Sequence, residues 1–151
     1  MSMIKGLYEA HLPISDVTES IEFYKKLGLE LAHQGDEVTF FWIEKGKSWL
    51  GLWKTDKVKT PYHPSLRHIA LYVELEGLLD ANEWLNERGI EVRTAFNFKS
   101  DQQPIVLPNY PQSHAAIYFD DPDGNSLELI TPLKLDDEID FEMMELRDWT
   151  K

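Results

Sequence analysis

The chain contains no cysteine. That excludes a disulfide scaffold, a thiolate metal site and a cysteine nucleophile. It is also short of bases: 15 lysines and arginines stand against 27 aspartates and glutamates, a formal charge of -12. No basic patch interrupts this excess, so nucleic acid and anionic membrane surfaces are not expected partners. No apolar run approaches the ~20 residues of a membrane span. The opening Met1-Ser2-Met3-Ile4-Lys5-Gly6 holds no signal-peptide core, so a cytoplasmic location is expected. What remains, 151 residues that are 42% apolar and 12% aromatic, suffices for one domain with a proper core.

Tyr8 to Ile14 alternates, with Tyr8, Ala10, Leu12 and Ile14 on one face and Glu9, His11 and Pro13 on the other. Ser15-Asp16 then opens a helix, with Glu19 placed to complete a capping box. Its apolar stripe is Val17, Ile21, Phe23, Tyr24 and Leu27, and Gly28 stops it. Strands are predicted over 29–34, 37–44 and 48–54, with turns at Gly35 and Gly46. This β-α-β-β-β order recurs. Leu66 to Val73 alternates, and a helix over 76–88 buries Leu78, Ala81, Trp84 and Leu85 before Gly89. Ile90-Glu91-Val92 echoes Leu29-Glu30-Leu31, and strands over 115–120 and 126–131 flank the turn Asp121-Pro122-Asp123-Gly124-Asn125.

Two modules, about 1–58 and about 62–132, thus make one α+β domain over 1–132, each half needing the other to cover its sheet. The stretch Ala95 to His114, with Pro104, Pro108 and Pro111, is too long for a connector and is expected to be a lid or binding loop. Residues 133–151 are acidic yet carry Ile139, Met143, Leu146 and Trp149 at helical spacing. They are expected to form an amphipathic C-terminal helix docked on the domain or on a partner subunit.

The alternation has a chemical consequence. His11 and His68 occupy equivalent positions in the first strand of each module, on the face opposite the branched apolar residues. In the last strand Leu127 and Leu129 take the helix side and leave Ser126, Glu128 and Ile130 facing the other way. A lone strand histidine is usually a packed or rim residue, and Glu128 alone reads as solvent-facing. Together, in register with a repeat, two imidazoles and a carboxylate form a metal-ligand set with open positions, suited to Mn, Fe, Ni or Zn. A hairpin closed by Asp121–Asn125 pairs Asp120 with Ser126 and puts Tyr118 opposite Glu128, as a candidate proton donor. His63 and His114 flank this site from loops, and Trp49 and Trp53 line it; all four are candidate substrate contacts. Gly46-Lys47-Ser48 lacks the upstream glycine of a phosphate loop, and Asp121-x-Asp123-Gly124 lacks an EF-hand's end ligands.

His11-Leu12-Pro13-Ile14 followed by Ser20-Ile21-Glu22-Phe23-Tyr24 and Leu27-Gly28-Leu29 resembles the first module of the vicinal oxygen chelate superfamily. Its members include glyoxalases, fosfomycin-resistance thiol transferases, extradiol dioxygenases and bleomycin-resistance proteins. Arg67-His68-Ile69-Ala70 and Ile117–Leu129, through Asp121-Pro122-Asp123-Gly124, match the second module. The resemblance covers about residues 4–132. It implies a curved, barrel-like mixed sheet of the glyoxalase type, one divalent metal ion on His11, His68 and Glu128, and a small oxygen-chelating substrate. It also implies a homodimer in which His11 of one chain can meet His68 and Glu128 of its partner.

The reaction implied is of lyase, isomerase or thiol-transferase type; the alternative is a non-catalytic drug-binding protein of the bleomycin-resistance kind. Glyoxalase I enzymes supply a fourth ligand at the first-module equivalent of Glu128, expected here to be Gly51. The threonine that thiol transferases place two residues after the first histidine is Pro13, and their arginine beyond the glutamate, near Asp137, is missing. A phosphonate would meet Asp136 and Asp137 instead. Extradiol dioxygenases are typically twice this length.

Overall fold

A polar side chain starts the first helix and a glycine stops it. Asp16 Oδ1 accepts the Glu19 amide at 2.9 Å, and Gly28 takes the left-handed backbone, with φ of +100°, that a side chain would disfavour. The structure is a computed structural model that describes residues 2–3, 5–58, 67–108, 113–134 and 141–149. No helix among the described residues is long and apolar enough to cross a membrane. The expected α+β architecture is present as two mixed, open sheets, which fall into two compact units.

The first unit is residues 1–67 with the turn 121–125. It contains β1 (Glu9–Ile14), α1 (Val17–Lys26), β2 (Glu30–Gln34), β3 (Val38–Glu44) and β4 (Ser48–Lys54). The strand order is β1-β4-β3-β2, with β1 parallel to β4 and the other pairs antiparallel. Leu12, Ile14, Phe41, Leu50 and Leu52 are buried, and Phe41 meets Tyr24 of α1 ring to ring at 5.7 Å. The helix face is rotated from expectation: Ser20 and Tyr24 are fully buried while Val17, Ile21 and Phe23 are half-buried. Strand alternation then leaves Glu9, His11, Phe40, Trp42, Trp49, Gly51 and Trp53 on the opposite face.

The turn 121–125 is held by its own acid. Asp121 Oδ1 accepts the Asp123 and Asn125 amides, each at 2.9 Å, and Oδ2 accepts the Tyr24 hydroxyl at 2.9 Å. Arg67 donates to Asn125 Oδ1 at 2.6 Å and to the carbonyls of Val58 and Asp123. Burial pushes the Asp121 carboxyl up, and the hydrogen bonds from Asn125 and Tyr24 pull it back.

The second unit, residues 68–120 and 126–151, holds β5 (His68–Tyr72), α2 (Leu75–Leu79), α3 (Ala81–Glu87), β6 (Ile105–Leu107), β7 (His114–Asp120), β8 (Ser126–Pro132), β9 (Met144–Glu145) and α4 (Leu146–Trp149). Its order is β5-β8-β7-β6-β9, so β5-β8-β7 repeats the β1-β4-β3 arrangement. The helix expected over 76–88 is broken at Asp80 into α2 and α3, a stretch weakened by Gly77 and Asp80, both poor helix formers. Ile90–Val92 is not a strand; only Val92 bridges, to Phe119.

The expected lid at 95–114 is corrected most. Ile105, Val106 and Leu107 are fully or almost fully buried and pair with β7 on one side and β9 on the other. Ala95 and Phe98 pack with Ile105, Leu107, Ala116 and Tyr118 on one face, and Val106, on the other face, is fully buried too, so β6 shows no alternation. Residues 109–112, including Pro111, lie outside the described residues.

Two segments share the free edge of β7. Val92-Arg93 faces Phe119-Tyr118, and β6 faces 114–116. Gln103 fills the break between them: Oε1 accepts the Tyr118 amide at 3.0 Å, and Nε2 donates to Arg93 O at 2.6 Å and Phe98 O at 3.3 Å. The C-terminal helix is one turn long, preceded by β9 and tied by the Leu146 amide to Pro104 O at 2.9 Å. Ile139, Asp136 and Asp137 lie outside the described residues.

Candidate functional site

β5 and β8 run parallel with His68 opposite Ser126 and Ala70 opposite Glu128. Across the β7–β8 hairpin Asp120 pairs with Ser126 and Tyr118 with Glu128, the register that the turn length implies. His68 Nε2 lies 2.7 Å from Glu128 Oε1, and its Nδ1 lies 3.0 Å from Ser126 Oγ. Arg93 donates to Ser126 Oγ at 2.7 Å and to Asp120 Oδ1 at 3.0 Å. The Glu128 carboxylate only accepts, so in the neutral ring the hydrogen is assigned to Nε2, facing Glu128, and Nδ1 then accepts from the Ser126 hydroxyl.

Glu128 is buried, and its second oxygen, Oε2, has no hydrogen-bond partner among the described residues. A buried carboxylate oxygen left alone is costly, and a cation is one remedy. Tyr118 is buried beside it. Burial first, and then the Glu128 charge, push its phenol far above the ordinary tyrosine range, while Arg93 pulls the other way. At neutral pH Tyr118 is therefore a hydrogen donor and not a base.

In the first unit His11 sits opposite Gly51. Its Nε2 lies 3.0 Å from Glu9 Oε2, and its Nδ1 accepts from Trp53 Nε1 at 2.5 Å. Trp49 Nε1 donates to the other Glu9 oxygen at 2.8 Å. These bonds, from His11 and then from Trp49, hold the Glu9 carboxyl below its usual value. The imidazole fills the space above a glycine: a Cβ on Gly51 would lie 2.5 Å from His11 Nδ1. Phe40 stacks on Trp49 at 4.2 Å, and Trp42 stacks on it at 5.1 Å.

The two registers correct the expected fourth position. His11 faces Gly51 while His68 faces Ser126, so Gly51 corresponds to Ser126 and Trp53 corresponds to Glu128. Each histidine thus bonds to the residue at the same relative place on the neighbouring parallel strand, a carboxylate in one module and an indole in the other.

Within neither unit do three His, Asp or Glu side chains gather into a metal cage among the described residues. His63 lies outside them. His114 begins β7 instead of standing in a loop, four residues and roughly 13 Å along the strand from Tyr118. Trp49 and Trp53 lie in β4, Trp49 half-buried and Trp53 exposed. Sequence reasoning missed Glu9, Arg93 and Gln103. Glu9 shares the His11 face by simple alternation and was legible; Arg93 and Gln103 reach the site from a segment with no periodic signal.

The family model described as Glyoxalase/Bleomycin resistance protein/Dioxygenase superfamily matches residues 6–129. A protein named metallothiol transferase FosB from Staphylococcus saprophyticus is 26% identical over 141 residues, spanning 92% of this chain and 84% of that one. One of the same name from Staphylococcus epidermidis is 28% identical over 131 residues, 85% of each. Among solved structures, an integron cassette protein from the mobile metagenome of the Halifax Harbour sewage outfall has a TM-score of 0.66 at 22% identity, covering 85% of this chain and 99% of that one. The fosfomycin resistance protein FosX from Mesorhizobium loti has a TM-score of 0.58 at 21% identity, covering 85% and 93%. These two likenesses speak to the fold alone. With a family match over most of its length and the fold to accompany it, the chain belongs to the glyoxalase/bleomycin resistance protein/dioxygenase superfamily.

Proposed function

We propose that this protein is a divalent-metal-dependent enzyme acting on a small substrate through two of the substrate's oxygens, with a reaction of lyase, isomerase or thiol-transferase type. The observation that carries this is the His68–Glu128 pair with the Glu128 Oε2 atom buried and unbonded among the described residues. An imidazole and a carboxylate suit Zn, Ni, Mn or Fe. His11 joins them as a ligand on its sequence match to the family. The relatives named metallothiol transferases support metal dependence, and a homodimer is part of the same reading.

Bound there, a divalent ion supplies Lewis acidity toward the substrate oxygens. The protein's own residues prepare for it. His68 frees Nε2 by moving its ring hydrogen to Nδ1, where Ser126 Oγ accepts it while also accepting from Arg93. Tyr118, kept protonated by its surroundings, donates a hydrogen bond toward a developing oxyanion beside Glu128. The thiol-transferase pattern is broken at Pro13, so fosfomycin is not the substrate proposed.

Elemental analysis of purified, tag-free wild type beside His68→Ala and Glu128→Ala tests this. Near-stoichiometric metal in the wild type, lost in both variants, is expected. A wild type that stays empty after reconstitution with each of the four ions overturns it. A drug-binding protein without chemistry would then lead, favoured by the stacked Phe40, Trp49 and Trp42 face of the first sheet.

A further inference from the structure

The tight turn Ala95–Phe98 carries two non-glycine residues with left-handed backbone, Phe96 at φ +49° and Asn97 at φ +68°. Ala95 N donates to Phe98 O at 3.0 Å and Phe98 N to Ala95 O at 2.8 Å. A two-residue turn closed this way asks for positive φ at both central positions and is usually Asn-Gly. Asparagine tolerates that conformation, whereas phenylalanine adopts it only under strain.

Burial does not explain the choice. Ala95 is buried and Phe98 packs against the core, but Phe96 is 55% exposed. The turn is also anchored from outside, since buried Gln103 bonds to Phe98 O, Arg93 O and the Tyr118 amide. A large apolar ring held in a disfavoured backbone and left half in solvent weakens the fold; such outliers cluster where binding needs them. Its aim is specific. The Phe96 ring meets Tyr118 edge-on at 5.7 Å and 68°, and Tyr118 pairs with Glu128 across the β7–β8 hairpin.

We propose that Phe96 is a specificity-determining residue of the His68–Glu128 site, offering its exposed ring to a planar aromatic group on the oxygen-chelating substrate. This rests on the metal-dependent reading above. The turn is a rigid presenter, so recognition needs no closing lid: the ring is already fixed beside Tyr118, and its ordering cost is met before binding.

The test uses two hydroxamates that chelate a metal through the same pair of oxygens and differ in one substituent, acetohydroxamate and benzohydroxamate. Each is titrated calorimetrically into zinc-loaded wild type and Phe96→Asn. Asparagine suits the left-handed position, so the variant folds, with Tm equal to the wild type or higher by about 2–4 °C. The preference of wild type for benzohydroxamate is expected to fall by about three- to tenfold in the variant, with acetohydroxamate binding unchanged. An unchanged preference, at any Tm, overturns the inference while leaving the metal site standing. If neither hydroxamate binds wild type loaded in turn with zinc, nickel, manganese and iron, the metal-dependent reading fails and this inference falls with it.

Discussion

A methyl group on Gly51 would have its carbon 2.5 Å from His11 Nδ1 and 3.0 Å from the Phe40 ring. The glycine is there because the imidazole lies over it, bonded to Trp53 on one nitrogen and Glu9 on the other. Gly51→Ala is therefore expected to destabilise the protein by about 1–3 kcal/mol through overpacking. In a His11→Ala background only the Phe40 ring, at 3.0 Å, still presses on the added carbon, and the cost should fall. Urea midpoints of the four proteins in this cycle check it, and equal costs in both backgrounds would show that His11 is not what the glycine accommodates. At this scale much of the second-unit site was legible: alternation put His68 and Glu128 on one face, and the turn length put Tyr118 opposite Glu128. The equivalence of Trp53 to Glu128 was not legible, because it depends on which residues of two parallel strands stand side by side, and one sequence does not fix that register.

At the scale of elements, the turn 121–125 announced its hairpin, while β6 stayed hidden. Three apolar residues between Pro104 and Pro108 carry no alternation because all three are buried, and a run this short reads as loop. β9 is two residues long, below what any pattern detects. What joins β6 to the segment at Val92-Arg93 is one side chain. Gln103→Ala would remove the acceptor of the buried Tyr118 amide and the donor to Arg93 O and Phe98 O. Phe98 O keeps its bond from Ala95 N, but leaving the buried Tyr118 amide unmet costs about 1–3 kcal/mol, so a loss of about that size is expected in urea unfolding. The Tyr118 amide should also exchange its hydrogen faster than those of Ile117 and Phe119. Unchanged protection at Tyr118 would mean that Gln103 does not bridge the two segments.

For the whole molecule the dominant electrostatic fact is an excess of acid, -12 at neutral pH, and raising the pH adds to it. Two tyrosines make the alkaline side sharper. Tyr24 is shielded by burial and then by the Asp121 charge, Tyr118 by burial and then by the Glu128 charge, and both phenols are held well above their ordinary value. An unfolded tyrosine ionises near pH ~10. Above that, the unfolded chain releases protons that the folded one keeps, so fewer protons are bound on unfolding and stability falls as pH rises. Their contribution is complete below about pH 10 and is lost as the pH climbs toward the folded values. Tyr118→Phe removes one of the two groups. Its stability should decline less steeply than wild type by up to about 1.4 kcal/mol per pH unit, with a constant offset between the two proteins below pH ~9. Urea unfolding from pH 8 to 11 reads both slopes while the lysines, common to the two proteins, cancel. Parallel curves would mean that Tyr118 ionises alike in the folded and unfolded protein, so that neither burial nor the Glu128 charge weighs on its phenol.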